Sequence, residues 1–214
     1  MIKKHLKTLI ITSILTLLPI LAGIYLWNTL PEQVPSHWDV NGEIDGWSSK
    51  PFFVFGLPSI MLAAQWLCVL GTAADPKKAN HSGKVLHLVL WIIPVLSIIL
   101  NAMTYMVVLG HTVRVEVIMP LIIGLVFTII GNYLPKCKQS YTLGIKLPWT
   151  LKSEANWNAT HRFGGKVWML GGLLLTQCVF LPKNLLGVAI LTIMPVLVLI
   201  PVVYSFLYHK REQK

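Results

Sequence analysis

The sequence predicts an all-α polytopic membrane protein. Its expected parts are six transmembrane helices kinked at prolines, a small hairpin-like outer loop, and a cytoplasmic interfacial loop with a helix. Three observations predict this class. Hydrophobic residues make up 55% of the 214 residues and charged residues 12%, about half the charged share of an ordinary soluble domain. The charges are segregated, with long stretches carrying none and short polar stretches carrying nearly all. Basic residues also concentrate in alternate loops, as they do when loops lie on alternate sides of a bilayer. A soluble chain this apolar would have to expose patches that soluble monomers rarely carry.

A crossing needs about 20 predominantly apolar residues. The first span is Thr8–Leu30, without Asp, Glu, Lys or Arg. Its apolar region is longer than that of a signal peptide, and no small-residue cleavage site follows, so an uncleaved helix is expected. The second span, Phe52–Ala74, and the sixth, Leu185–Tyr208, are also free of charge. The third, Val85–Gly110, carries His87 and Asn101, and the fourth is Val117–Leu134. The fifth, Phe163–Leu181, has Lys166 in its first turn, where a lysine can snorkel to the headgroups. Pro19, Pro58, Pro94, Pro120, Pro195 and Pro201 fall inside spans, and neighbouring helices can satisfy the backbone groups they free.

Charge sets the expected orientation. With six spans, fifteen of the 18 basic residues share a side with both termini; Lys50, Arg114 and Lys183 are the exceptions. Both termini are therefore expected in the cytoplasm, with the protein multi-pass in the membrane. Trp27, Tyr133, Tyr204 and Tyr208 lie near span ends, at aromatic-belt positions. The net charge of +10 thus reads as a topology signal and an attraction to the anionic inner leaflet, with no direct nucleic-acid partner.

Two loops exceed simple connectors. The outer one, Pro31–Pro51, holds Asn41-Gly42, a two-residue turn signal, and Asp45-Gly46, a second one. It predicts a Trp-capped hairpin at the membrane surface, with Trp38 and Trp47 packing on headgroups or helix ends. The inner loop runs from Pro135 to Arg162. Pro148 biases Leu147 to extended backbone. Ser153 is the expected N-cap of a helix with Glu154 in its first turn. That helix would run through Trp157 and His161 into the fifth span.

The residue types give no evident chemistry. Asp39, Asn41, Glu43 and Asp45 gather oxygen ligands, but the EF-hand spacing is absent, and an acidic hairpin is the expectation. His37, His87, His111 and His161 are scattered over both sides, and no His-Glu-x-x-His motif is present. Cys68, Cys137 and Cys178 have no paired ligand spacing. Neither metal, cofactor nor enzymatic activity is expected. Ion-coupled transport usually leaves ionisable groups within the membrane, whereas Gln65, Asn101, Asn132 and Gln177 are uncharged and suited to interhelical hydrogen bonds. A small-molecule transporter, or a membrane enzyme using the inner loop as a lid, is the alternative; a solvent-lined cavity reaching His87 or Asn101 would favour it.

The inner loop carries a more specific pattern. Gly144-Ile145-Lys146-Leu147-Pro148-Trp149-Thr150-Leu151, then Glu154, Trp157, His161-Arg162 and Gly165, closely resembles the signature of the SdpI family. Leu147 stands where that family commonly has threonine. The outer loop resembles a module often found at the amino end of the same proteins, through Pro35, His37-Trp38, Gly42, Asp45, Trp47 and Ser49-Lys50. The resemblance implies an amino-terminal two-span module over 1–84, with outer loop 31–51. It implies a four-span module over 85–214, with cytoplasmic loop 135–162.

It also implies a bacterial membrane immunity protein that protects its cell from a secreted, membrane-active toxin peptide and relays toxin detection to a cytoplasmic repressor. On this reading His37, Trp38, Asp39, Gly42, Glu43, Asp45, Trp47 and Lys50 face the toxin. The inner segment Pro148–Arg162 presents a surface to the regulator.

Overall fold

The computed structural model describes residues 2–213. The chain is an all-α polytopic bundle with one two-stranded sheet. Helix α1 (Ile2–Tyr25) leads into strands β1 (Gln33–Trp38) and β2 (Ile44–Ser49). A π-helical turn, Phe52–Gly56, then opens α2 (Leu57–Ala74). Helices α3 (Gly83–Val108) and α4 (Val115–Tyr133) follow, then the short α5 (Pro148–Lys152), and finally α6 (Glu154–Gln177) and α7 (Lys183–Glu212). Among the described residues, six helices are long and apolar enough to cross a membrane, as the sequence predicts. Lys214, counted among the inner basic residues, lies outside the described residues, as do the side chains of Lys3 and Lys4.

Several boundaries differ from the sequence expectation, two of them next to the long loops. The first helix ends at Tyr25 rather than Leu30, and residues 26–30 form turns closed by Thr29 N–H on Leu26 O at 2.8 Å. The fifth crossing begins at Glu154 rather than Phe163. Ser153 Oγ accepts the Asn156 N–H at 3.0 Å, so the expected cap starts the helix well before the apolar run. A helix from Glu154 to Phe180, 27 residues, is about 40 Å long, longer than a hydrocarbon core of about 30 Å.

The chain folds as two compact units. One comprises Met1–Ala73 and Leu86–Val115; the other comprises Ala74–Val85 and Glu116–Lys214. In the first, polar side chains join the helices. Thr16 Oγ1 donates to Gln65 Oε1 at 2.9 Å, Gln65 Nε2 donates to Thr12 Oγ1 at 2.7 Å, and Ser97 Oγ donates to Thr16 O at 2.8 Å. Gln65 thus bonds between helices as expected. Asn101 instead donates to Ser97 O of its own helix at 2.8 Å, and Asn132 and Gln177 are exposed. Near the hairpin, Leu30, Val34, Phe53, Val54 and Tyr105 form an apolar cluster. Tyr105 donates to Pro19 O at 3.0 Å.

In the second unit, glycines set the packing. A Cβ on Gly124 would lie 2.6 Å from Gly172 O, and one on Gly165 would lie 2.7 Å from Gly131 O. Gly124 and Gly131 on α4, and Gly165 and Gly172 on α6, are each seven residues apart, so α4 and α6 meet backbone to backbone, a contact that membrane helices make through small residues. Helix α7 carries Pro201, which lacks an N–H and leaves the Leu197 carbonyl without its helical donor. The Trp168 indole N–H of α6 donates to that carbonyl at 2.8 Å. The kink is thereby satisfied from a neighbouring helix.

Candidate functional site

The hairpin is the first polar element. Strands β1 and β2 pair antiparallel, from Gln33 opposite Ser49 to Trp38 opposite Ile44. The turn is not the two-residue type that Asn41-Gly42 suggests. Gly42 N–H donates to Asp39 O at 3.0 Å, Asp39 N–H donates to Glu43 O at 2.9 Å, and only Gly42 takes positive φ, at 78°. This is a three-residue loop closed by a glycine. The Asp39 carboxylate selects it by accepting the Asn41 and Glu43 N–H groups at 2.9 and 2.8 Å. Asp45-Gly46, the second expected turn, lies inside β2 instead. There Gly46 opposes His37 beside a bulge, and a Cβ would sit 2.9 Å from His37 Cβ.

The candidate hairpin residues divide by environment. His37, Glu43, Asp45 and Trp47 are exposed, and His37 pairs with Asp45 at 2.5 Å. Asp39 is committed to the turn, Gly42 closes it, and Trp38 is half-buried. Lys50 turns inward. Its amine meets Glu32 at 2.7 Å and the Leu30 carbonyl at 3.2 Å, and lies 5.3 Å from the centre of the Trp27 ring. Lys50 anchors the base of the hairpin rather than facing outward.

The inner loop folds into a hydrogen-bonded knot over the start of α6. Leu147 is extended ahead of Pro148, at φ −123° and ψ 152°, as expected, and Pro148 opens α5. Thr150 crosslinks the turn: its hydroxyl accepts the Leu147 N–H at 2.9 Å and donates toward Ile145 O at 2.9 Å. Gly144 has φ of +119°, and any Cβ there would collide with His161 Nε2 and the Trp157 ring. Freed of that clash, the Ile145 N–H donates to His161 Nε2 at 2.9 Å, and the opposite ring nitrogen bonds Trp157 O at 2.8 Å. These two bonds assign the neutral Nδ1–H tautomer to His161. The Trp157 and His161 rings stack at 4.0 Å, and the Trp157 indole donates to Cys137 O at 2.8 Å.

Helix α7 forms one wall of the knot. Trp149 Nε1–H donates to Ser205 Oγ at 2.8 Å, and Asn156 Nδ2 donates to Ser205 O at 3.0 Å. Thr150, Trp157, His161 and Gly165 are buried, and Leu151 and Trp149 are half-buried. Lys146, Pro148, Glu154 and Arg162 remain exposed. Most of the motif is therefore internal framework, with a thin exposed edge.

Residues outside the sequence-selected set complete the framework. Asp75, in the 75–82 turn, has a fully buried carboxylate. Its Oδ1 accepts the Lys77 N–H at 2.7 Å, and its Oδ2 accepts the Tyr141 and Thr142 N–H groups at 2.9 and 3.1 Å and the Thr142 hydroxyl at 2.8 Å. Burial pushes its pKa up, but the Lys77 N–H, the Thr142 hydroxyl, the Tyr141 N–H and nearby His81 together hold it below its ordinary value. Gln139 Nε2 donates to the Thr150 and Leu151 carbonyls at 2.9 and 3.0 Å, and its own carbonyl accepts from Asn80 at 2.8 Å. Lys77 Nζ bonds the Gln139 side-chain oxygen. Asp75 carried one available signal: it is a carboxylate within a basic loop segment. Burial pushes the Cys137 thiol up to about 11, away from the thiolate form that acts as a nucleophile. No cluster that would hold a metal occurs among the described residues.

Residues 136–208, the knot together with α6 and nearly all of α7, match the SdpI/YfhL protein family. Residues 14–62, spanning the hairpin, match a domain of unknown function, DUF1648. Over 205 residues the chain is 32% identical to "Immunity protein SdpI" of Bacillus subtilis (strain 168), covering 95% of both chains. The chain belongs to the SdpI/YfhL family. No solved structure matches it. The SdpI/YfhL segment begins at the loop that Asp75 binds and ends with the α7 residues that receive Trp149 and Asn156. The amino-terminal module recognised in the sequence is present as well.

Proposed function

We propose that the protein makes a bacterial cell immune to a secreted, membrane-active toxin peptide. The observation that carries this reading is the 32% identity, over 95% of both chains, to a protein named for immunity. The charge bias supports both termini in the cytoplasm, which sets the hairpin outside and the motif loop inside.

On this reading His37, Glu43, Asp45 and Trp47 form the toxin-facing set, being the exposed candidates of the hairpin. Asp39, Gly42 and Lys50 hold that surface in shape. The carboxylates favour a cationic peptide over the short range that screening allows, about 8–10 Å. Inside, Lys146, Pro148 and Glu154 form the edge available to a cytoplasmic repressor, and the buried residues behind them keep that edge rigid. The six helices fit a non-enzymatic role in which the protein acts by binding at each face.

Expression in a toxin-sensitive strain lacking its own immunity gene tests the proposal. Survival should rise with the wild-type chain and fall with Glu43→Ala/Asp45→Ala/Trp47→Ala, while Lys146→Ala/Glu154→Ala should spare survival and reduce reporter induction. Unchanged survival with the wild-type chain refutes the immunity reading. Loss of survival with the inner variant alone refutes the division between faces.

A further inference from the structure

Helices α6 and α7 leave a groove of about 410 Å³ at their basic end, floored by Ala155 and Ala159 and flanked by Arg162, Lys166, Tyr204 and Tyr208. Arg162 and Lys166 stand one helical turn apart on the same face. Neither makes an ion pair among the described residues, and no carboxylate lines the groove. Phe163 and Tyr204 stack at 4.2 Å and form its neck. Below the neck the same pair continues into a second trough of about 320 Å³, lined otherwise by Leu199, Ile200, Val203 and Leu207.

The chemistry changes along the membrane axis in the order of an amphiphile. Helix α7 ends in His209, Lys210 and Arg211, so its water-facing end is fixed, and Tyr208 and Tyr204 come next. The apolar lining extends inward to Leu199, about 13 Å from Tyr208 along the helix. Two unpaired cations with tyrosine hydroxyls suit a phosphodiester, and the trough below suits an acyl chain. A water-soluble acidic protein could meet the cations but not fill the trough.

We propose that this groove binds one anionic phospholipid, its phosphodiester on Arg162 and Lys166 and its acyl chain against Phe163 and Val203. The inference is independent of the immunity reading, because lipid occupancy is measured on the purified protein. At about fivefold per basic residue near an anionic headgroup, two such residues give roughly a thirtyfold preference for phosphatidylglycerol over phosphatidylcholine.

Native mass spectrometry of the full chain, titrated with each lipid and with inorganic phosphate, provides the measurement. The wild type should retain phosphatidylglycerol preferentially, and inorganic phosphate should not displace it. Arg162→Gln/Lys166→Gln should abolish most of the preference, whereas Lys136→Gln/Lys138→Gln, with the same charge loss outside the groove, should keep it. Val203→Trp fills a lipid-exposed part of the trough without touching the cations, and should weaken retention. Equal retention of both lipids by the wild type overturns the proposal. So does an unchanged preference in Arg162→Gln/Lys166→Gln, equal loss in the Lys136/Lys138 control, displacement by inorganic phosphate, or unaltered binding in Val203→Trp.

Discussion

Asp75→Asn should loosen the inner loop without unfolding the helices. The carboxylate is fully buried and accepts four hydrogen bonds: from the Lys77 N–H at 2.7 Å, the Tyr141 N–H at 2.9 Å, the Thr142 N–H at 3.1 Å and the Thr142 hydroxyl at 2.8 Å. Asparagine keeps the shape but has one acceptor. Its best orientation places the amide oxygen where Oδ2 stands, which sets the new NH2 against the Lys77 N–H. An unsatisfied buried donor costs about 1–3 kcal/mol. The three remaining bonds lose a charged acceptor, about 1 kcal/mol each by the difference between charged and neutral hydrogen bonds. The tether should therefore weaken by about 4–6 kcal/mol.

Amide hydrogen exchange read by mass spectrometry on the purified protein resolves this. Exchange at Tyr141 and Thr142 should accelerate on the order of a thousandfold to ten-thousandfold, since each 1.4 kcal/mol is tenfold, while the α6 interior should change little. A change under about threefold would refute the tether. The acid dependence has a definite sign. The folded-state pKa of Asp75 lies below its ordinary value of 3.8. Its contribution is thus complete above the unfolded-state pKa and is lost only as pH falls through the lower folded-state value. After correction for intrinsic rates, loop protection should persist to below pH 3.8 in the wild type and already be missing at neutral pH in Asp75→Asn.

Three further outcomes follow from the packing. Gly144→Ala must place a Cβ at positive φ against His161 and Trp157. Strain of about 1–3 kcal/mol, with a comparable overpacking cost, should make Lys146 newly sensitive to trypsin; continued resistance would contradict the knot. Gly172→Leu drives a side chain into the Gly124 carbonyl, 2.5 Å from where its Cβ would lie, and should lower the denaturation midpoint in detergent micelles by more than the lipid-facing change Leu170→Ala. Lys50→Met removes the donor to Leu30 O and the pairing with Glu32. Because Glu32 is well exposed, the ion pair is worth at most about 1 kcal/mol. The loss should be about 1–2 kcal/mol and confined to the hairpin, seen as faster exchange at Glu32 and Lys50.

Sequence and structure contributed unequally at the two loops. The Ser153 cap, the extended Leu147 and the helix through Trp157 and His161 were legible because capping and proline geometry act over three or four residues. The turn at Asn41-Gly42 was misjudged because a side chain, Asp39, chose between two turns that the dipeptide alone permits. Asp45-Gly46 misled for a related reason: a glycine that signals a turn also serves where two strands crowd at a bulge. Lys50 looked like a surface residue because its partners, Trp27, Leu30 and Glu32, converge on it only after the chain has folded back through the hairpin.

By itself the sequence determined that this chain crosses a membrane six times, that its ends are dressed differently, and that it carries the SdpI signature. Hydropathy and charge act through transfer of each segment between water and lipid, so they are properties of the segment. Only the tertiary structure decided what the signature does locally. It made Gly144, Trp157 and His161 one buried contact, brought Asp75 to the loop from 66 residues away, joined Gln139 to Thr150 across 11 residues within it, and opened the groove between α6 and α7. Those outcomes depend on which hydrogen-bonding groups meet once water is excluded. A buried donor or acceptor accepts whatever partner the fold supplies, and composition cannot name that partner in advance.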